Sequence, residues 1–179
     1  MKFLQTQLPG VLIVEPDVFR DSRGFFLETF HAARYREGGI PYGFVQDNHS
    51  RSVRRTLRGL HAQRKKPQGK LVRAARGEIF DVAVDVRPGS PTFGEWVGER
   101  LSEENFRQMF IPPGFAHGFC VLSDFADVEY KCTELYDRAD EIGARWDTAG
   151  IDWPLEDPLL SPKDAALPSL DELRRMLES

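Results

Sequence analysis

Short apolar and aromatic runs recur along the chain between glycine- and proline-containing turns, and a helical period is scarce before the C-terminal segment. Such a pattern predicts many short strands. The clearest is IFDVAVDVR. There Phe80, Val82, Val84 and Val86 alternate with Asp81, Ala83, Asp85 and Arg87, and Pro88, Gly89, Ser90 and Pro91 close the run. Successive strand residues point to opposite faces, so one face is expected in the core and the other wet or functional. Upstream, Asp21, Ser22, Arg23 and Gly24 read as a turn, after which Phe26, Glu28 and Phe30 share a face. Residues 31–39, HAARYREGG, predict a short helix stopped by Gly38 and Gly39. Near the end, Ser169 and Glu172 fit a capping box. Leu170, Leu173 and Leu177 then make a narrow apolar stripe expected to pack on the body of the fold. The expectation is an all-β fold with short peripheral helices. A length of 179 residues with 41% hydrophobic content suits one domain over 1–179.

Charge and composition narrow the partners. The net charge is −4 and the basic residues form no uninterrupted block, which argues against nucleic acid but leaves local clusters able to bind a small anion. The opening MKFLQTQLPGVLIVEPDVF has one lysine, a four-residue apolar run broken by Glu15 and no small-residue cleavage site, so no signal peptide is expected. No apolar run reaches membrane-spanning length. Cys120 and Cys132 lack CxxC spacing and make no disulfide framework. A cytoplasmic protein with reduced thiols is expected.

Three segments carry polar chemistry. Leu57 to Arg73, LRGLHAQRKKPQGKLVR, reads as a polar loop between two apolar runs, with His61 following Gly59 and Lys70 following Gly69. Glycine beside a charged side chain suggests close approach of backbone to a ligand. The competing reading is a solvated basic hairpin tip, since Arg64, Lys65 and Lys66 look like ordinary surface charge. In IPPGFAHGF, His117 follows a Pro/Gly turn into the apolar run FCVL, where an imidazole must find a partner or face a pocket. If DVEYKCTELY is extended, Val128, Tyr130, Cys132, Glu134 and Tyr136 share a face, and at about 3.3 Å per residue the two tyrosines lie roughly 20 Å apart. That is the reach of a nucleotide diphosphate sugar, although paired strand tyrosines are ordinary in β structure.

RGLH at 58–61, QDNHS at 46–50, SPTFGEW at 90–96, IPPGFAHGF at 111–119 and SPKD at 161–164 lie within a match running from about Asp21 to Asp164. Together they resemble the dTDP-4-dehydrorhamnose 3,5-epimerases, cupin-type enzymes of nucleotide-sugar metabolism. The resemblance implies a jelly-roll β-barrel, a homodimer, a dTDP-linked 4-keto-6-deoxyhexose substrate, and neither cofactor nor metal. A C4 ketone acidifies the protons on C3 and C5, and inversion removes a proton from one face and returns one to the other. By the resemblance His61 is the base, Tyr130 the acid and Asp164 the carboxylate that orients the histidine, while Lys70 stabilises the enolate. The same motifs assign Arg23, Glu28, Gln46, Asn48, Arg58, His117, Tyr136, Glu141 and Lys163 to substrate binding. Arg23 and Arg58 suit a diphosphate, and Tyr136 matches an aromatic that stacks on thymine. In relatives the N-terminal strands cross the dimer, so Arg23 and Glu28 are expected to serve the partner's site.

Two departures bear on substrate choice. Ala62 stands where many relatives carry an aromatic, and residues 144–154, ARWDTAGIDWP, are irregular where relatives have a WxDP-like turn. They leave the reaction class intact and leave open a mono-epimerase acting at C3 or C5 alone. Two other classes fit less well. A metal-dependent cupin needs a second imidazole where this chain reads His61, Ala62, Gln63, and His31 and His49 lie outside the matching positions. A sugar-binding module without catalysis has no need of both an acid and a base, yet His61, Tyr130, Lys70 and Asp164 are all present.

Overall fold

The computed structural model describes residues 1–178, and the alternating runs are antiparallel strands. They begin with β1 (Lys2–Gln5), β2 (Leu12–Glu15) and the hairpin β3 (Val18–Asp21) and β4 (Gly24–Leu27), followed by helix α1 (Ala32–Glu37). Next come β5 (Gln46–Val53), β6 (Leu57–Gln63), β7 (Lys70–Arg76), β8 (Glu78–Asp85) and β9 (Trp96–Ser102). Last are β10 (Gln108–Ile111), β11 (Phe115–Val121), β12 (Phe125–Cys132), β13 (Glu141–Gly143), α2 (Pro162–Ala165) and α3 (Leu170–Glu178).

Strands distant in sequence are neighbours in space. One sheet has the order β1-β2-β10-β7-β12-β5, the other β13-β6-β11-β8-β9. Their inner faces meet in one apolar core, where Val72, Met109, Ile111 and Val128 share a cluster with Ile79, Ala83, Phe115, Phe119 and Val121. Two facing antiparallel sheets with crossovers make the jelly-roll barrel, and each sheet keeps an outer face. Those outer faces are covered too. Leu170, Leu173 and Leu177 of α3 cluster with Leu60, Val82 and Val84, and Tyr35 of α1 clusters with Leu12, Leu71 and Phe110. Burying one such side chain contributes about 1.5–3 kcal/mol, so the outer layers stabilise the fold along with the barrel interior.

This layering changes the meaning of the β8 alternation. Its apolar set, Phe80, Val82, Val84 and Val86, belongs to the outer layer under α3, while Asp81, Ala83 and Asp85 take the barrel face. Both faces are therefore buried. Asp85 accepts hydrogen bonds from Arg87 Nη2, Ser90 Oγ and Thr92 Oγ1, each at 2.6 Å.

The segment from Leu57 to Arg73 is not the polar loop that its composition suggests. His61 lies on β6 and Lys70 on β7, in different sheets, and only residues 64–69 connect them. Its glycines pack closely within the fold. Gly59 has φ of +120°, and a Cβ there would lie 2.5 Å from Gly118 Cα and 2.7 Å from the His117 carbonyl oxygen, so its role is the close approach of β6 to β11. Gly69 faces Pro113 and Thr133. Further along, β12 ends at Cys132, so Glu134 and Tyr136 do not continue its face. Likewise β4 ends at Leu27, short of Glu28 and Phe30. The expected helices are present. Gly38 caps α1, and before α3 the Ser169 amide donates to Glu172 Oε2 at 2.7 Å while the Glu172 amide donates to Ser169 Oγ at 3.3 Å.

Candidate active site

Near β6 and β11 the barrel interior turns polar. His61 and His117 are cross-strand partners there, brought close by Gly59 against Gly118. A carboxylate stands behind each ring. His61 Nε2 is 2.6 Å from Asp164 Oδ1, and His117 Nε2 is 2.7 Å from Asp81 Oδ1. Asp164 is held by α2, whose N-cap Ser161 accepts from the Asp164 amide at 3.0 Å and whose Pro162 presets the first turn. The facing sheet supplies Lys70 on β7 and Tyr130 on β12. Two cavities of about 260 Å³ each have His61, Lys70 and Tyr130 in common as walls.

Burial sets the charge states. Desolvation by itself pushes Asp164 up, but the hydrogen bond and charge of His61, with the Ser161 hydroxyl, hold its carboxyl below the ordinary value. A carboxylate only accepts, so Nε2 is the ring nitrogen that donates to Asp164, and in the neutral imidazole the lone pair is on Nδ1. Burial raises the Tyr130 phenol, which keeps its proton to donate. Lys70, also buried, is pushed down by desolvation and drawn back up by Cys132, Asp81 and Glu141. In the other dyad burial raises Asp81 and lowers His117, and their mutual contact opposes both shifts. A proton acceptor and a proton donor on opposite walls, with the Lys70 amine beside them, suit proton transfer to the two faces of one carbon.

The remaining wall is a hydrogen-bonded frame. Glu141 Oε2 accepts from Tyr136 Oη at 2.7 Å and from Lys163 Nζ at 2.5 Å. Gln46 accepts from the Tyr136 amide at 2.8 Å and donates to Asn48 Oδ1 at 3.0 Å. The Tyr136 ring itself is half exposed, which leaves a flat apolar surface for stacking. Arg58 donates through Nε to Ser52 Oγ at 3.0 Å and also borders the cleft.

Comparison with known proteins places this arrangement. The family model of dTDP-4-dehydrorhamnose 3,5-epimerase matches residues 5–172. The chain belongs to this family. It is similar to the dTDP-4-dehydrorhamnose 3,5-epimerase of Methanothermobacter thermautotrophicus, at 59% identity over 168 residues covering 91% of each chain. The crystal structure of the 3,5-epimerase from Legionella pneumophila in complex with dTDP-4-keto-L-rhamnose matches with a TM-score of 0.94 and 52% identity, covering 98% of this chain and 96% of that one. A dTDP-4-dehydrorhamnose 3-epimerase of Streptomyces niveus is 40% identical over 178 residues, covering 97% of this chain and 86% of its own.

Within this epimerase fold, Arg23 and Glu28 are the expected residues that do not reach the cleft of their own chain. Arg23, 88% exposed, pairs with Asp21 at 2.6 Å, and Glu28 pairs with Arg34 at 3.0 Å. Of the two departures, Ala62 borders the cleft and also joins the layer under α3. The irregular segment packs away from the cleft. Trp153 Nε1 donates to the Trp146 carbonyl at 3.0 Å, and its ring meets Phe80 edge-on at 6.0 Å on the outer face of the five-stranded sheet. Sequence reasoning missed Asp81 as a site residue, although the polar set of the β8 alternation carried the signal. Among the described residues, no group of three or more His, Cys, Asp or Glu is gathered as for a metal, and no helix is long and apolar enough to cross a membrane.

Proposed function

We propose that this epimerase inverts C3 and C5 of dTDP-4-keto-6-deoxy-D-glucose to give dTDP-4-keto-L-rhamnose. The observation that carries the reading is the placement of His61, backed by Asp164, and of Tyr130 on opposite sheets across one cleft. His61 Nδ1 takes the proton from the carbon beside the ketone, and the C–H electron pair moves onto the C4 oxygen as an enolate. Lys70, on the same wall as Tyr130, stabilises that charge in a site shielded from water. The enolate then collapses back to the ketone as Tyr130 delivers its proton to the opposite face of the carbon. Imidazolium and phenolate return to rest by proton exchange with solvent, and a shift of the sugar ring presents the second carbon. Tyr136, Gln46 and Asn48 frame the nucleotide, with Arg58 at the diphosphate.

The same reading includes a homodimer and a cytoplasmic location. Hairpin β3–β4 exposes Phe19, Phe25 and Phe26 beside Arg23, which suits an arm that reaches a partner subunit and brings Arg23 and Glu28 to its cleft. A second reading, inversion at one carbon only, is favoured by the similarity to a 3-epimerase and by Ala62. Proton NMR of the purified protein turning over dTDP-4-keto-6-deoxy-D-glucose tests the choice. Coupling constants of a product inverted at both carbons are expected, and a product inverted at C3 alone selects the second reading.

A further inference from the structure

Among the described residues, two buried side-chain polar atoms have no hydrogen-bond partner, Ser50 Oγ and Asp81 Oδ2. Buried polar atoms in native folds are satisfied with few exceptions, and leaving one unpaired costs free energy. Asp81 is already engaged through its other oxygen, which pairs with His117. Ser50 makes no such contact. It lies on β5 opposite Val128 of β12, two residues from Asn48, which lies opposite Tyr130. Strand alternation puts Asn48 and Ser50 on one face, and Ser50 borders the cavity walled by Arg58, His61, Lys70, His117 and Tyr130. The next serine of the same strand behaves differently: Ser52 Oγ receives the Arg58 Nε proton at 3.0 Å. Arg58 is thus within reach of this strand yet satisfies Ser52 and leaves Ser50 unpaired.

We propose that Ser50 is a further specificity-determining contact of the epimerase, its hydroxyl reserved for a ring hydroxyl of the substrate's sugar. This rests on the nucleotide-sugar reading above. His61, Lys70 and Tyr130 line both cavities, but Gln46, Asn48 and Tyr136, which frame the nucleotide, line only the other one. The cavity that Ser50 borders thus holds the reacting groups without the nucleotide frame, and the sugar is the partner of choice. The chemistry agrees. Arg58, Lys70 and Lys163 in the same wall only donate, while a serine hydroxyl both donates and accepts, matching a sugar hydroxyl that does the same.

Ser50→Ala provides the test, read by calorimetric affinity for dTDP-glucose and for dTDP alone, and by thermal midpoint. A hydroxyl unpaired in the free protein contributes nothing to its fold, so the midpoint should stay level or rise. Affinity for dTDP-glucose should fall about tenfold while affinity for dTDP stays at the wild-type value. A lower midpoint assigns the hydroxyl to the fold and overturns the proposal. So does an unchanged affinity for dTDP-glucose, or an equal loss for dTDP, which moves the contact to the nucleotide. Turnover of dTDP-4-keto-6-deoxy-D-glucose by the wild type is measured alongside. Its absence, with the difference between the two ligands intact, counts against the epimerase reading and leaves the Ser50 contact standing.

Discussion

Asp164 determines which nitrogen of His61 is free, because an ionised carboxylate 2.6 Å from Nε2 admits only the tautomer that donates to it. Asparagine at 61 keeps a polar side chain of similar reach and removes the basic nitrogen. His61→Asn is therefore expected to keep the wild-type circular dichroism spectrum and lose turnover by roughly a hundredfold to ten-thousandfold, the usual effect of deleting a general base. Turnover near the wild-type level would remove His61 from that role. On the facing wall, the buried phenol of Tyr130 stays protonated, so its loss should affect delivery of the proton more than its removal. Tyr130→Phe is expected to keep exchanging substrate protons with solvent while inversion falls sharply, and NMR distinguishes the two rates. Inversion at the wild-type rate in Tyr130→Phe would show that the acid is elsewhere.

Single elements hold these residues in place, and two of them are open to direct measurement. An alanine at Gly59 would place its Cβ 2.5 Å from Gly118 Cα at a φ of +120°, where β6 and β11 carry both histidines. Gly59→Ala should lose roughly 3 kcal/mol or more in urea unfolding, as expected of backbone strain joined to a core clash. A loss under about 1 kcal/mol would mean that the strands separate freely. The turn after β8 depends on Asp85. Burial pushes this carboxyl up, but bonds from Arg87, Ser90 and Thr92 outweigh it and lower its pKa from 3.8 to about 2. A folded-state value below the unfolded one gives stability that is complete above pH 4 and lost as pH falls toward 2. Asp85→Asn should therefore cost about 2 kcal/mol at neutral pH and flatten the acid decline of stability between pH 4 and 2, measured by unfolding across that range. An acid decline as steep as that of the wild type would assign it to other carboxylates.

The elements also show what the sequence made legible. Alternation located β8, the glycines ended α1, and the capping box opened α3. Which face of β8 is the barrel interior was not legible, because the covering layer comes from α3, far along the chain, and its valines look the same on either side. Lys70 fell within an expected polar loop for a related reason: the polar run 64–69 hides the start of a strand that enters the other sheet. Asp81 stood out on the polar face of the β8 alternation, but its role was not legible, because its partner His117 is brought near it only by strand pairing.

For the molecule as a whole, Arg23 and Glu28 stand apart from the cleft that the rest of the site encloses. If hairpin β3–β4 completes a neighbour's cleft, mixing inactive Arg23→Ala chains with inactive His61→Asn chains should restore activity. One of the two hybrid sites would then hold both intact residues. Mixed chains that exchange subunits, as shown by mass spectrometry, and stay inactive would confine the site to one chain. The central claim, proton transfer at two carbons from two walls of one cleft, is tested most directly by running the wild-type enzyme in D₂O with dTDP-4-keto-6-deoxy-D-glucose and reading deuterium at each carbon by NMR. Passage through an enolate at both centres predicts solvent label at C3 and at C5. Label at one carbon alone would contradict double inversion, and no label at either, with binding demonstrated, would contradict the proton-transfer chemistry itself.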